Sequence, residues 1–188
     1  MERANRFRSR DDRLRCIGAG ALIDYVLNIR EDELKYNECG KPFLPGQGSS
    51  FNLSHSGDYI ALAIGDGTVG VDVEQIDPRH FDLAKRIFTQ DESEWLNRNE
   101  SNKSERFFQL WTLKESAIKA VGLGLSIPLQ SFSVIPLIEQ QPITVRGMTL
   151  FGQTVLLTGH SLSLCSTEPP IEELSPIFVT ANDIQNNL

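Results

Sequence analysis

The sequence predicts an α+β fold with largely antiparallel sheets. Three observations lead there. Short β-patterned runs come in hairpin-like groups set off by turn residues, over residues 51–74 and again after residue 132. Amphipathic helical stretches precede and separate those groups, the longest over 104–120. No repeat or low-complexity linker interrupts the 188 residues, a length that suits one domain or two small halves sharing a core.

Taken in chain order, Asp11 and Asp12 are placed to cap a helix whose apolar stripe reads Leu14, Ile17, Ala21, Tyr25 and Val26. Residues 41–48 read as loop, rich in Pro and Gly. Residues 51–53 form a short strand and 59–64 a second. After the turn signal Gly65-Asp66-Gly67 comes a third, 68–74, and the last two are expected to pair as a hairpin. Residues 80–88 read as a helix, and Thr89-Gln90-Asp91-Glu92 as a capping box that opens another. The long helix over 104–120 puts Leu110, Leu113, Ala117 and Ala120 on its core stripe, with Gly122 just past its end. Strands follow over 132–134, 143–145, 155–157, 161–165 and 177–179, and the polar tail after Ala181 is expected to be loose.

An apolar fraction of 40% and a charged fraction of 23% are those of an ordinary globular protein. The formal net charge of -7 argues against a general nucleic-acid binder. Its distribution is uneven. Arg3, Arg6, Arg8, Arg10, Arg13 and Arg15 crowd the start, whereas Arg146 is the single Lys or Arg after Lys119. Such a cluster suits a phosphate on a small ligand or an acidic protein partner, or is simply a solvated helix start. No apolar run is long enough for a bilayer and the basic N-terminus has no secretory apolar stretch, so a cytoplasmic protein without a membrane partner is expected. Cys16, Cys39 and Cys165 lack metal-type spacing and read as reduced thiols.

Four segments carry side chains capable of chemistry. In Val69-Gly70-Val71-Asp72-Val73-Glu74, strand alternation puts the valines on one face and Gly70, Asp72 and Glu74 on the other. Two like charges side by side repel unless water screens them or a hard divalent cation lies between them, and Gly70 is read as leaving open room for a ligand. In the helix, Trp111, Glu115 and Lys119 recur every four residues and share a face; Glu115 and Lys119 are either an ordinary surface pair or a third carboxylate and a phosphate-binding ammonium. Asn52-Leu53-Ser54-His55-Ser56-Gly57 is rich in small polar residues, and its N–H groups with Ser54 and His55 could cradle a phosphate. A Ser54 nucleophile is disfavoured, because neighbouring Ser and His point apart on a strand. Lys41, in the Cys39-Gly40-Lys41-Pro42-Phe43 turn, offers a point charge. His80 and His160 stand isolated.

The order of these segments is more informative than any one of them. Gly40-Lys41-Pro42, residues 51–57, Gly70-Val71-Asp72-Val73-Glu74, Arg86-Ile87-Phe88 with Glu92, and Trp111-Thr112-Leu113-Lys114-Glu115-Ser116-Ala117-Ile118-Lys119 together resemble the 4′-phosphopantetheinyl transferases. They are similar to the monomeric class that activates surfactin synthetase and related assembly lines. The resemblance implies two similar α/β halves related by a pseudo-twofold, with coenzyme A in the cleft between them. It divides the chain into an N-terminal half, 1–67, for nucleotide and phosphate contacts, and a C-terminal half, 68–188, for the metal carboxylates and long helix. Because Met1 falls almost on the family's basic stretch, the N-terminal half is expected to lack its first strand.

Carried over by position, the resemblance makes Asp72, Glu74 and Glu115 the ligands of Mg²⁺ or Mn²⁺. It makes Lys119 the pyrophosphate lysine and Lys41, Pro42, Ser54 and His55 nucleotide and phosphate contacts. Arg10 and Arg15 fall near the family's basic positions for the nucleotide, and Arg3 near another. The implied reaction has the serine of an acyl or peptidyl carrier protein attack the β-phosphate of coenzyme A, releasing 3′,5′-ADP. Glu115 is then the candidate base and Lys119 the stabiliser of phosphate charge. The alternatives are a non-catalytic coenzyme A or carrier-binding module and a metal-dependent nucleotide pyrophosphohydrolase.

Overall fold

The computed structural model describes residues 9–46 and 49–186. Arg3, Arg6, Arg8, Gln47 and Gly48 lie outside the described residues. The architecture is the expected mixture of helix and antiparallel sheet, arranged around three apolar clusters.

Helix α1, Arg10–Leu27, starts at Ser9, whose hydroxyl accepts from the Asp12 N–H. Asp11 and Asp12 therefore occupy the first turn, favourable for negative charge, and are not the cap. The expected stripe is also displaced. Leu14, Ile17, Tyr25 and Val26 are exposed, and Ile23 is the buried position, packed with Ile29, Leu34 and Phe51. Apolar residues lie all around this helix, so its periodicity does not select one face. What selects it is the fit of the helix to its neighbours: a side chain at Gly18 would meet Ile60.

Strands β1, Lys35–Tyr36, and β2, Pro42–Phe43, form a small antiparallel pair where residues 41–48 read as loop. Strand β3, Ser50–Ser56, extends through Ser54 and His55 and pairs with β4, Tyr59–Gly65. Strand β5, Val69–Gln75, does not pair with β4 as the hairpin reading expects. It is the edge of a second antiparallel sheet, order β5-β8-β7-β6, made with β6, Ile143–Val145, β7, Met148–Leu157, and β8, His160–Ser166. The physical reason lies at the other edge of β5, whose N–H groups are taken by side-chain oxygens of β3. The Gly65-Asp66-Gly67 turn thus passes the chain between sheets. Val71 and Val73 pack with Leu162 against Tyr59, Ala61 and Ala63 of β4, which joins the two sheets.

The main core lies on the far side of the larger sheet. A 3₁₀ stretch, Pro78–Leu83, and a short helix α2, Ala84–Ile87, replace the single helix read over 80–88. Pro78 fixes the start, and Asp77 caps it. Helix α3, Gln90–Asn97, opens with the expected Thr89/Glu92 capping box. Helix α4, Lys103–Val121, buries Leu110, Leu113, Ala117 and Ala120 as read, and ends at Gly122 in the left-handed conformation. Residues 132–134 are not a strand. Pro136 presets the first turn of α5, Ile135–Ile138, and the Val134 N–H donates to Glu92, not to a ladder. Residues 177–179 are also irregular, and the tail is ordered into helix α6, Ala181–Gln185, by a Thr180/Asp183 capping box. Among the described residues no helix is long and apolar enough to cross a membrane.

Candidate active site

The site is built where α4 crosses the carboxylate face of β5. That face is covered, not open. A Cβ at Gly70 would overlap the Ser116 carbonyl oxygen and the Ala120 backbone, so the glycine admits a helix and leaves no room for a ligand. Small side chains on β8 continue the close approach. Ser161 and Ser163 lie opposite Glu74 and Asp72 in register, and both hydroxyls meet the Thr112 hydroxyl of α4, at 3.0 and 2.7 Å. Cys165 lies opposite Gly70 and receives the Ser116 hydroxyl; burial pushes its thiol up to about 12.

This packing brings the residues of two sequence segments together. Lys119 Nζ is 2.6 Å from Asp72 Oδ1 and also donates to Ser54 Oγ at 2.9 Å. Ser54 donates to the same Asp72 oxygen and accepts from the Val73 N–H. With two acceptances and one donation, its hydroxyl is fully used and buried, with nothing left for a phosphate in this arrangement. Ser56 repeats the pattern one step along, donating to Glu74 Oε2 at 2.7 Å and accepting from the Gln75 N–H at 3.0 Å.

The electrostatics are those of crowded, poorly solvated anions. Burial raises the pKa of Asp72, opposed by the Lys119 ammonium. Burial also raises that of Glu74, with the charge of Asp72 adding to it. Glu115 is raised by burial and then by Asp72, with Glu74 a smaller contributor. Glu115 accepts no hydrogen bond from a described residue. When ionised, the three carboxylates and Lys119 leave a net charge of minus two.

A divalent cation matches that deficit, and the donor set is hard oxygen. Asp72 Oδ2 is buried and without a hydrogen-bond partner, an orphaned acceptor that a cation would satisfy. Among the described residues, however, no three His, Cys, Asp or Glu side chains converge into a ready cage. Mg²⁺ suits such a partial set, because it uses few carboxylates and fills its octahedron with water and substrate phosphate. On donor chemistry and the orphaned oxygen, the residues fit the ion.

The remaining candidates lie on either side of this centre. An open cleft of about 800 Å³ runs between the start of α1 and the β3–β4 turn, lined by Asp12, Arg15, His55, Ser56, Gly57 and Gln75. Arg15 donates to the Gly57 carbonyl and pairs with Asp12 at 2.6 Å. His55 is exposed there, and Arg10 is exposed at the first residue of α1. Lys41 lies elsewhere in the interface. Its ammonium donates to the carbonyls of Val69 and Ala120, tying β5 to the end of α4, and burial lowers its pKa to about 8. Pro42, the next residue, begins β2.

Sequence reasoning misses the support beneath the site. Lys114, next to Glu115, points into the core and pairs with Glu92 at 2.7 Å, both side chains fully buried. Lys114 also donates to the carbonyls of Leu129 and Phe132. The signal was present: adjacent helical residues lie about 100° apart, so Lys114 and Glu115 cannot serve the same face.

A strand bearing two carboxylates beneath a helix bearing a third and a lysine suits the transfer of phosphorylated groups. Residues 68–165 match the 4′-phosphopantetheinyl transferase superfamily. The 4′-phosphopantetheinyl transferase gsp of Aneurinibacillus migulanus is 32% identical over 184 residues, covering 86% of this chain and 75% of that protein. The transferases ffp of Bacillus subtilis and Sfp of Bacillus subtilis strain 168 are 31% and 29% identical, each over 92% of this chain and 82% of its own length. The chain belongs to the 4′-phosphopantetheinyl transferase superfamily, and it is a transferase of that kind.

Proposed function

We propose that this enzyme moves 4′-phosphopantetheine from coenzyme A to a serine of an acyl or peptidyl carrier protein, releasing 3′,5′-ADP, with Mg²⁺ or Mn²⁺ held by Asp72, Glu74 and Glu115. The observation that carries the metal assignment is the pairing of an orphaned, buried Asp72 oxygen with a cluster two positive charges short of neutral. The ion would supply neutralisation of pyrophosphate charge. Residues 1–67 would provide nucleotide and phosphate contacts, with Arg10, Arg15 and His55 at the cleft; Lys41, beside Pro42, and Ser54 have their polar atoms engaged at the joint with β5 and would reach a phosphate only by giving up those bonds. Residues 68–188 would provide the carboxylates and α4. Both of the halves that the resemblance implies would lie in one chain, which suits a monomer, and a reaction on coenzyme A and a carrier protein suits the cytoplasm.

In the transfer, the carrier serine oxygen forms a bond to the β-phosphorus and the bridging oxygen leaves with 3′,5′-ADP. The serine proton passes to Glu115, directly or through a water held beside it. Lys119 exchanges part of its hold on Asp72 for phosphate oxygens and stabilises their charge.

The test is transfer itself. Incubated with coenzyme A, MgCl₂ and apo carrier proteins of fatty-acid, polyketide and peptide type, the enzyme should add a phosphopantetheine mass to at least one of them. No mass gain on any carrier would sink the reading. Coenzyme A binding without turnover would point to a binding module, and nucleotide release without a carrier to a pyrophosphohydrolase.

A further inference from the structure

The two sheets are joined along β5 by an arrangement the reaction does not require. Alternate residues of β3 present side-chain oxygens to alternate N–H groups of β5: Ser50 to Val69, Asn52 to Val71, Ser54 to Val73 and Ser56 to Gln75, at 2.9–3.3 Å. The intervening β3 residues, Phe51, Leu53 and His55, point the other way, the first two toward the N-terminal core and His55 to the cleft. A one-residue slip would present Phe51 and Leu53 to those N–H groups, which neither could satisfy. The row therefore sets a single register between the halves.

Within this row the two serines also act on the carboxylates. Each accepts from the N–H that follows an acidic residue and donates to that residue's own carboxylate: Ser54 with Asp72 and Val73, Ser56 with Glu74 and Gln75. One oxygen of each carboxylate is thereby fixed and the other left for a ligand. At Asp72 that other oxygen is the orphaned Oδ2. Glu74 has no lysine at hydrogen-bond distance among the described residues, so the Ser56 hydroxyl is what holds it.

We propose that Ser56 is a positioning residue that fixes Glu74 for a divalent cation, and that the Ser50–Asn52–Ser54–Ser56 row is the joint that holds the carboxylate strand in register with the N-terminal half. The cation part rests on the reading that Asp72 and Glu74 bind such an ion. Ser56 donates its one hydroxyl proton to Glu74, so its effect on the ion is exerted through that carboxylate. This role needs both a donor proton and an acceptor lone pair, which threonine retains and alanine lacks.

The experiment follows backbone amide signals of β5 in the full chain by NMR. In the metal-free protein, Ser56→Ala should speed exchange of the Gln75 amide at least about tenfold while Val71, held by Asn52, stays within about twofold. In a MgCl₂ titration of the same amides, the midpoint should move about tenfold higher in Ser56→Ala, and Ser56→Thr should restore both readouts. Equal acceleration at Gln75 and Val71 would mean general loosening and overturns the positioning role. An unchanged MgCl₂ midpoint in Ser56→Ala overturns it as well, whatever the transfer assay shows. Wild-type protein that fails every transfer assay but shows a Ser56-dependent MgCl₂ titration overturns the transferase assignment and supports this one.

Discussion

Replacing Glu115 with Gln should raise the stability of the metal-free protein at neutral pH and at the same time abolish transfer. Glu115 is half-buried, accepts no hydrogen bond from a described residue, and faces the charges of Asp72 and Glu74. Its folded pKa lies above the unfolded value of about 4.3. Between those two values the folded state binds more protons than the unfolded one, so stability falls as pH rises through the window and stays lower above it. Glutamine carries neither proton nor charge and removes that deficit. Relief of one such unfavourable site is worth about 0.5–2 kcal/mol. At roughly 2–4 °C per kcal/mol for a chain of this size, Tm in a chelator at pH 7 should rise by about 1–8 °C. The advantage should vanish as pH falls below about 4, where both states of the wild type are protonated. Mg²⁺ at a hundred times its dissociation constant should then stabilise the wild type by about 2.7 kcal/mol and the variant by less, since one ligand is gone. Turnover should drop at least about a hundredfold. A variant that melts below the wild type in chelator at pH 7 would refute the charge-repulsion reasoning. Equal Mg²⁺ increments in the two proteins would refute Glu115 as a ligand.

Two further outcomes test the scaffold. Lys114→Met leaves Glu92 charged and sealed in the core, and should cost about 3–5 kcal/mol by urea denaturation, whereas Lys114→Met with Glu92→Gln should recover much of that loss; an additive pair of effects would contradict the buried ion pair. Lys41 titrates at about 8 when folded and about 10.4 when unfolded, so the unfolded chain binds more protons between those values and stability should rise with pH across that window. Denaturation curves from pH 7 to 10.5 should show this rise for the wild type relative to Lys41→Met, and parallel curves would mean that the two carbonyl acceptors offset the cost of burying the ammonium.

Period-two alternation in 69–75 is enough to put Gly70, Asp72 and Glu74 on one face, and the i, i+4 spacing of Glu115 and Lys119 puts them on one helix face, although Lys119 pairs across to Asp72 and not with Glu115. What covers that face is not legible, because a glycine beside carboxylates fits an open ligand pocket and a tightly packed helix equally well. The Ser116 carbonyl over Gly70 decides it. The α1 stripe fails for the opposite reason: several apolar residues compete for the core, and Ile23 wins through its contacts with Ile29, Leu34 and Phe51, which lie outside the helix.

The β4–β5 reading shows what a purely local rule leaves out. Gly65-Asp66-Gly67 between two apolar runs is a strong hairpin signal, and it selects a turn; it does not select the strand that β5 will pair with. That choice depends on which neighbour can satisfy the N–H groups along each edge. β8 supplies a backbone ladder on one side, from Val69↔Ser166 to Gln75↔His160. On the other side the same strand needs acceptors every second residue, and Ser50, Asn52, Ser54 and Ser56 provide them without a ladder. Small polar residues at alternate positions of a strand resemble loop composition when read alone. Beside an acidic strand they are the acceptors of its edge, and Ser54 and Ser56, which donate to Asp72 and Glu74, aim its carboxylates.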